Sequence, residues 1–585
     1  MPNIHRLRLP LLLLCLWGTN ALALQPADPS ETVPSDVASV RQEARIGVNQ
    51  AGYLPDAPKR AIILNADATA PLELRQTHSN MLMATLPLGE ATTTPQGLRW
   101  QWVDFSNVQL PGEYFLQQGS LKSAAFQIGA DVYASPSWLL QRSYYLQRCG
   151  VALRDPVSGI GHEACHANDA VYARDDAFSK AGEPHEAQGG WHDAGDFGKY
   201  MATATVTVNR LLSLYLMQPQ RYQDGALQIP ESSNGKPDLL DEVAFELDWM
   251  LKMQRQDGAV YRKLAGPKWV SARKPEDDTE QRLIFGVSTP ETAKFASSMA
   301  LAARAYREVS PQAAKTYQQA AEKAWAWLEK NPNMDADWQK SDDGGSGKYL
   351  SSGTDTEASL EFDDDDRLAA AVELYLTTGD KKYRAYILKI APDTPYTLFE
   401  WKDPSALALW HLLTYDQSAE LAPLRASIKQ KLLVRADELL QTVADCPLQM
   451  ANPHLVWGSN KMLVEEGITL LHAWHYTQDK RYRDAALAQV DFLFGRNPFA
   501  LSFVTSVGEA HVKTPLHLFG TAIQRTIPGL LVGGPNVIAQ DNVAPRDRGL
   551  LSYVDDPRAY SVNEYAIDYN AAVIGLLEIL AIYRQ

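Results

Sequence analysis

The chain has 585 residues, 45% apolar and 21% charged, a globular balance that excludes a disordered or collagen-like protein. Its length exceeds one ordinary core and calls for a large domain or for two or more. A formal net charge of −15 excludes nucleic acid as the main partner, since phosphate recognition needs clustered Lys and Arg, and leaves neutral or cationic substrates open.

In chain order, the first element is an export signal. His5, Arg6 and Arg8 precede the apolar run 9–17, and Ala21-Leu22-Ala23 offers a small-x-small cleavage site. The run is too short for a retained anchor, and the residues before Cys15 lack the small side chain that lipidation needs. Residues 1–23 are expected to be removed, leaving a protein with no stable membrane anchor in the periplasm or outside the cell. Residues 24–40, rich in Pro, Ser, Asp and Glu, read as a flexible linker. Over 41–130, short apolar stretches alternate with turn signals such as Tyr53-Leu54-Pro55-Asp56 and Leu110-Pro111-Gly112, which predicts a small β-sandwich.

From 131 to 585 the pattern is helical. Leu239, Leu240, Val243, Leu247, Met250 and Leu251 line one stripe of a helix predicted over 238–256, with Asp238 as its cap. Further helices are predicted near 199–217, 292–307, 312–330, 366–377, 423–443, 460–477, 481–494 and 562–583. Loops as long as 331–365 and 496–560 are usually functional. Many helices with functional loops at one end suggest an α/α toroid, although periodicity alone also fits an irregular helical domain.

Two acidic constellations carry chemistry. In Gly189-Gly190-Trp191-His192-Asp193-Ala194-Gly195-Asp196-Phe197-Gly198-Lys199-Tyr200, two carboxylates three apart stand beside small residues just before a helix. Asp193 and Asp196 can converge on one water, one as general base and the other orienting it, and Gly195 lets the backbone come close. A capped helix start or a calcium pair fits the same residues. In Tyr560-Ser561-Val562-Asn563-Glu564-Tyr565-Ala566-Ile567-Asp568-Tyr569-Asn570, Glu564 stands where a loop meets a helix, a place for a general acid and equally for a dipole-favoured Glu.

Once Cys15 leaves with the signal, Cys149, Cys165 and Cys446 remain, which is no disulfide framework; Cys149 and Cys165 are available for at most one bridge. With His166 and His185 the same thiols make a Cys2His2 donor set suited to tetrahedral zinc, although free buried cysteines beside ordinary histidines fit the wide spacing equally. The run Asp363-Asp364-Asp365-Asp366 reads as a solvated face or a calcium site.

The segment Gly190 to Tyr200 resembles the GWHDAGD(Y/F)GKY signature of glycoside hydrolase family 9. The likeness extends through Val48-Asn49-Gln50-Ala51-Gly52-Tyr53, which is similar to the opening of an immunoglobulin-like domain, and Asn234-Gly235-Lys236-Pro237-Asp238-Leu239-Leu240-Asp241-Glu242. It continues in Trp457-Gly458-Ser459-Asn460, Phe494-Gly495-Arg496-Asn497-Pro498 and Gly533-Gly534-Pro535-Asn536. The resemblance implies an (α/α)6 barrel behind an immunoglobulin-like β-sandwich, and inverting hydrolysis of β-1,4-glycosidic bonds. It implies Asp196 as base, Asp193 as its partner on the water and Glu564 as acid, with carboxyls roughly 6.5–9.5 Å apart. It implies a structural Zn2+ on Cys149, Cys165, His166 and His185, bracing the loop that leads to Asp193. It also implies Ca2+ on Asp365, Asp366 and Asp403, although the Ser-Gly pair expected upstream is Glu361-Phe362 here. Trp191, His192, Trp457, His517, Phe519 and Tyr560 are expected to face the sugar.

The resemblance breaks at the family's His-His-Arg block, whose positions fall on Phe519, Gly520 and Thr521, with Arg525 a candidate to fill the gap. A lost donor changes which sugar is accepted. The leading expectation is an endo-β-1,4-glucanase on cellulose or soluble β-glucan. An exo-acting β-glycosidase, such as an exo-β-glucosaminidase or a cellodextrin-degrading β-glucosidase, is the alternative, and a non-catalytic sugar-binding protein a third. No cellulose-binding module or dockerin is evident, and a monomer is expected.

Overall fold

A computed structural model describes residues 43–66, 70–94, 97–335 and 362–584. The predicted signal, the whole of the linker and most of the 331–365 loop lie outside the described residues.

The N-terminal part is a sandwich of two antiparallel sheets. One has the order β1 (Arg45–Gly47), β2 (Arg60–Leu64), β6 (Arg99–Asp104), β5 (Ala91–Thr93). The other has the order β4 (Leu82–Leu86), β3 (Leu72–Gln76), β7 (Gly112–Gln118), β8 (Leu121–Lys122), with β9 (Phe126–Ile128) also on β7. Side chains along a strand alternate between faces. In β2, Ala61 and Ile63 enter the sandwich core while Ile62 and Leu64 enter the core of the helical part. This strand is therefore apolar at every position after Arg60, since it is buried on both faces. Polar ties fix the junction: Asn49 Nδ2 donates to Asp491 Oδ1 at 2.9 Å, and Gln50 Nε2 to the Ala510 carbonyl at 2.8 Å.

The helical part is a two-layer ring. In chain order its helices are α1 (Ala134–Ser143), α2 (Met201–Met217), α3 (Asp238–Lys252), α4 (Thr289–Ala305), α5 (Pro311–Lys330), α6 (Asp364–Thr378) and α7 (Lys381–Ile390). They continue as α8 (Ser405–Tyr415), α9 (Ala422–Asp445), α10 (Ser459–Thr477), α11 (Lys480–Leu493), two short helices α12 (Leu518–Ala522) and α13 (Tyr560–Asn563), and α14 (Ile567–Tyr583). Helices α2, α4, α6, α8, α10 and α14 form the inner ring; α3, α5, α7, α9, α11 and α1 pack outside them in the same order. Sequence follows position. Outer helix α9 buries Leu424, Ile428, Leu432, Ala436, Leu439 and Val443, one stripe at intervals of three and four. Inner helix α14 is buried nearly all round. Between α8 and α10 the Trp410 and His472 rings stack in parallel, 3.7 Å apart.

Asp238 is not the predicted cap. It lies inside α3, and its carboxylate accepts from the backbone N–H of Gly225 and Leu227 and from Ser232 Oγ, so it fastens the preceding loop.

Candidate active site

The Asp193 segment is laid on a rigid base before it reaches the cleft. Gly190 has φ +73°, and a Cβ there would stand 2.8 Å from the Trp249 side chain. Trp191 is buried at 1% exposure, stacked near Tyr144, and its indole N–H donates to Glu242. It is a strut for the loop and not a sugar contact. Beyond it the chain turns back, with Asp193 N–H donating to the Gly198 carbonyl at 2.9 Å. Strand 199–200 then pairs with 263–264 and leads into α2.

The C-terminal acidic segment meets this loop directly. Ala194 pairs antiparallel with Ala566, and Ile567 N–H donates to the Asp193 carbonyl at 2.8 Å. That register sets Asp196 and Glu564 on facing stretches, the first just before α2 and the second just before α14, two neighbours in the inner ring. Gly195 N–H donates to the Glu564 carboxylate. On the other side of Gly195 runs Leu516, whose carbonyl would lie 2.4 Å from any Cβ placed there. Gly195 is thus needed for close approach, as its sequence context predicts. Asn563 is wholly buried, accepts from Tyr553 Oη at 2.7 Å and donates to the Thr514 carbonyl at 2.8 Å, so the residue before Glu564 is fixed.

The three carboxyls have different surroundings. Asp193 is buried, accepts from Thr203 Oγ1, and is raised well above the usual carboxylate range by burial and by Asp568, Asp196 and Glu564. Asp196 is half-buried; burial raises it, while the Gly198 N–H at 3.0 Å and Tyr200 Oη at 3.2 Å favour its ionised form. Glu564 is half-buried and raised well above its ordinary value, first by burial and then by the Asp196 charge. Burial thus raises both carboxyls. Asp196 has side-chain and backbone donors, from Tyr200 and Gly198, that favour its ionised form, while the Asp196 charge adds to the rise at Glu564, a bias in the direction that a paired acid and base require. Removing the Tyr200 hydroxyl in Tyr200→Phe removes a bond to ionised Asp196 and raises its pKa further. Because a base must be ionised to act, the acid-side limb of the kcat/KM profile is expected to move up by about 0.5–1 pH unit. An unmoved limb in a pH–rate series would show that Asp196 does not set it.

Cations and rings around the carboxyls were only partly legible. Lys461, at the start of α10, stands 3.4 Å from Asp568 and 3.7 Å from Glu400, three buried or nearly buried charges that no sequence motif marks. Trp457 and Tyr560 do sit together, ring centroids 5.5 Å apart and Tyr560 38% exposed, beside the Glu564 segment. His517 and Phe519 do not face a sugar. His517 is buried against Gln147, accepts the Gly520 N–H, and burial depresses it to about 3, so it is a neutral cap of α12. Phe519 is buried edge-on to His162. Arg525 donates to the carbonyls of Ser158 and Gly159, which spends it on a loop and leaves the His-His-Arg gap unfilled.

One metal-capable group converges among the described residues: Cys149, Cys165, His166 and His192, all buried, with ligand atoms within 4.8 Å of one another. The fourth member is His192 and not His185. His185 is committed elsewhere, with Tyr172 Oη at 2.8 Å and the Lys252 carbonyl at the end of α3 at 2.7 Å. His192 is too buried to touch a sugar, its Nε2 has no hydrogen-bond partner among the described residues, and burial lowers its pKa to about 4, leaving a neutral imidazole. Two thiols and two imidazoles in a closed buried cluster fit tetrahedral zinc, and Asp278 beside His166 Nε2 at 3.3 Å supplies an outer-shell carboxylate. No disulfide joins the three described cysteines.

Among the described residues the acidic run forms other contacts in place of a calcium shell. Asp365, Asp366 and Asp403 form no converging ligand group among the described residues. Asp366 instead faces the Lys294 ammonium at 2.5 Å. Asp403 accepts from Thr397 Oγ1 and from the Ser405 N–H, both at 2.9 Å.

Comparison with known proteins places this geometry. The model of Glycosyl hydrolase family 9 matches residues 133–577, and that of the cellulase N-terminal ig-like domain matches residues 41–123. A xyloglucan-specific endo-beta-1,4-glucanase from Bacteroides ovatus is 32% identical, over 97% of this chain and 98% of that one. The crystal structure of a metagenome-derived glycoside hydrolase family 9 endoglucanase is 37% identical with a TM-score of 0.85, over 92% of this chain and all of that one. A structure described as a Zn-binding triple mutant of a family 9 endoglucanase is 35% identical with a TM-score of 0.82, over 90% and 99% of the two chains.

Proposed function

Given that the chain belongs to glycosyl hydrolase family 9, we propose that it is an exported endo-β-1,4-glucanase acting by inversion, with Glu564 as acid and Asp196 as base. The observation that carries this is the pairing of Ala194 with Ala566, which sets Asp196 and Glu564 on facing stretches at one end of the barrel, both raised above the ordinary carboxylate range by burial and Glu564 well above it. Glu564 donates its proton to the leaving glycosidic oxygen. Asp196 takes a proton from a water that attacks the anomeric carbon from the opposite face, and Asp193 helps hold that water. The bond to the leaving sugar breaks as the bond to the water oxygen forms, so a β-glycoside yields an α-hemiacetal.

The substrate is a β-1,4-linked glucan. The Bacteroides ovatus relative is named for xyloglucan, and endoglucanase D of Acetivibrio thermocellus is 30% identical over 94% of this chain. The Trp457 and Tyr560 rings offer flat apolar faces for a pyranose beside the acid. Cys149, Cys165, His166 and His192 hold a structural zinc; with four protein ligands it leaves no position for a reacting water. Residues 1–23 direct export to the periplasm or beyond, residues 41–130 form the immunoglobulin-like domain and 131–585 the hydrolase domain. No helix among the described residues is long and apolar enough to cross a membrane.

Two readouts on one digest test the reading. Proton NMR of a cello-oligosaccharide digest should show the α-anomer first, and carboxymethylcellulose should lose viscosity before much reducing sugar appears. A β-anomer first would overturn inversion. Monomer or dimer release at constant viscosity would overturn endo action.

A further inference from the structure

The end of the barrel that carries the carboxyls holds a second buried charge cluster, apart from them. It joins three successive inner helices. Lys294 lies in the second turn of α4, Asp365 and Asp366 in the first turn of α6, and Asp403 just before α8. Lys294 is 2% exposed and Asp366 likewise, with Nζ 2.5 Å from Asp366 Oδ1. The charges of Asp366, Glu291 and Asp365 all act on the ammonium, and that of Asp403 acts on Asp365. Both oxygens of Asp365 lack a hydrogen-bond partner among the described residues.

Buried carboxylates of this density need a cation, because an uncompensated buried charge is among the costliest features a fold can carry. A divalent ion would need their oxygens to converge in a shell of 6–8 ligands. Here one position of that shell is taken by an ammonium anchored on its own helix, and the expected upstream Ser-Gly is Glu361-Phe362, with Phe362 50% exposed. An ammonium and a divalent ion within a few ångströms would repel strongly in so dry a place. We propose that Lys294 is the resident cation of this cluster and takes the place of a bound calcium ion, so that α4, α6 and α8 are tied together by a covalently attached charge. Calcium-independence of this end of the barrel is then a property of the chain itself.

The test uses the full-length, zinc-loaded protein in calcium-free buffer. Titrating calcium chloride by calorimetry should give no binding heat, and millimolar calcium should leave Tm unchanged. Lys294→Met removes the ammonium and keeps the bulk. Its Tm should fall by about 5 °C or more, and calcium alone should restore part of that loss while binding near one ion per chain. Lys294→Arg should stay calcium-independent. Stoichiometric calcium binding by the unaltered protein, with a rise in Tm, would overturn the proposal, and this measurement stands even where Lys294→Met fails to fold. A folded Lys294→Met protein with no response to calcium would overturn it as well. Activity does not enter the test, so its outcome is independent of the hydrolase mechanism.

Discussion

Glu564→Gln is expected to lower kcat on a β-1,4-glucan by about 10²–10⁴-fold while the fold is retained. Gln preserves the shape and can accept the Gly195 N–H, but it has no proton to give to the leaving oxygen. The same substitution should cost far less on an aryl cellobioside with an acidic phenol, since that group leaves without protonation. Asp196→Ala should behave differently: the water must lose its proton whatever group departs, so the loss persists on both substrates. The comparison of leaving groups therefore assigns the two roles separately. Equal losses on both substrates in Glu564→Gln would remove Glu564 from the acid role, and near-normal turnover in Asp196→Ala would remove Asp196 from the base role. Circular dichroism of each variant separates lost chemistry from lost structure.

The second large effect belongs to the metal cluster. The purified protein should carry about one zinc per chain. A zinc present at a thousand times its dissociation constant contributes about 4 kcal/mol to folding, and its withdrawal by chelator or by Cys149→Ser should lower the folding free energy by that amount, read as a clear fall in Tm. Because the proposed ligand His192 precedes Asp193 directly, activity should fall with the metal, by about tenfold or more. The two histidines separate the possible ligand sets. His192→Ala should lose the metal, while His185→Ala should keep it and lose only two hydrogen bonds. Metal analysis of both variants decides the point, and zinc retained in His192→Ala would defeat the assignment.

Much of the fold was readable because its signals are periodic. Helices such as 312–330 and 460–477 fall within two residues of α5 and α10, since a single apolar stripe marks an outer helix and a near-continuous apolar run an inner one. Short helices such as α7 and α8 carry too few turns for periodicity to mark them individually. The carboxyls were legible for a different reason: they stand in glycine-rich or junction segments whose residue types are dictated by close backbone contact, Gly195 against Leu516 being the clearest case.

What stayed hidden was direction. A histidine in a motif carries no mark of whether it points to a cleft or into the core. His192 and His185 exchanged roles between sequence and structure on that account, and Trp191, His517 and Phe519 proved to be packing residues. Long-range partners such as Lys461 with Asp568, or Lys294 with Asp366, have no signature in either local sequence. The one usable hint was negative: lysines within apolar inner helices must find a counter-charge.

The bridge between Ala194 and Ala566 also has a temporal meaning. It joins the first inner helix to emerge during synthesis with the last. The proposed base Asp196 and acid Glu564 are thus brought face to face by the closure of the ring, after the intervening helices have been made. A chain that lacks α14 is therefore expected to have no hydrolytic activity, so that turnover would report on completed assembly. A closure between such distant residues is also entropically slow, so the final docking of α14 is expected to limit the recovery of activity on refolding.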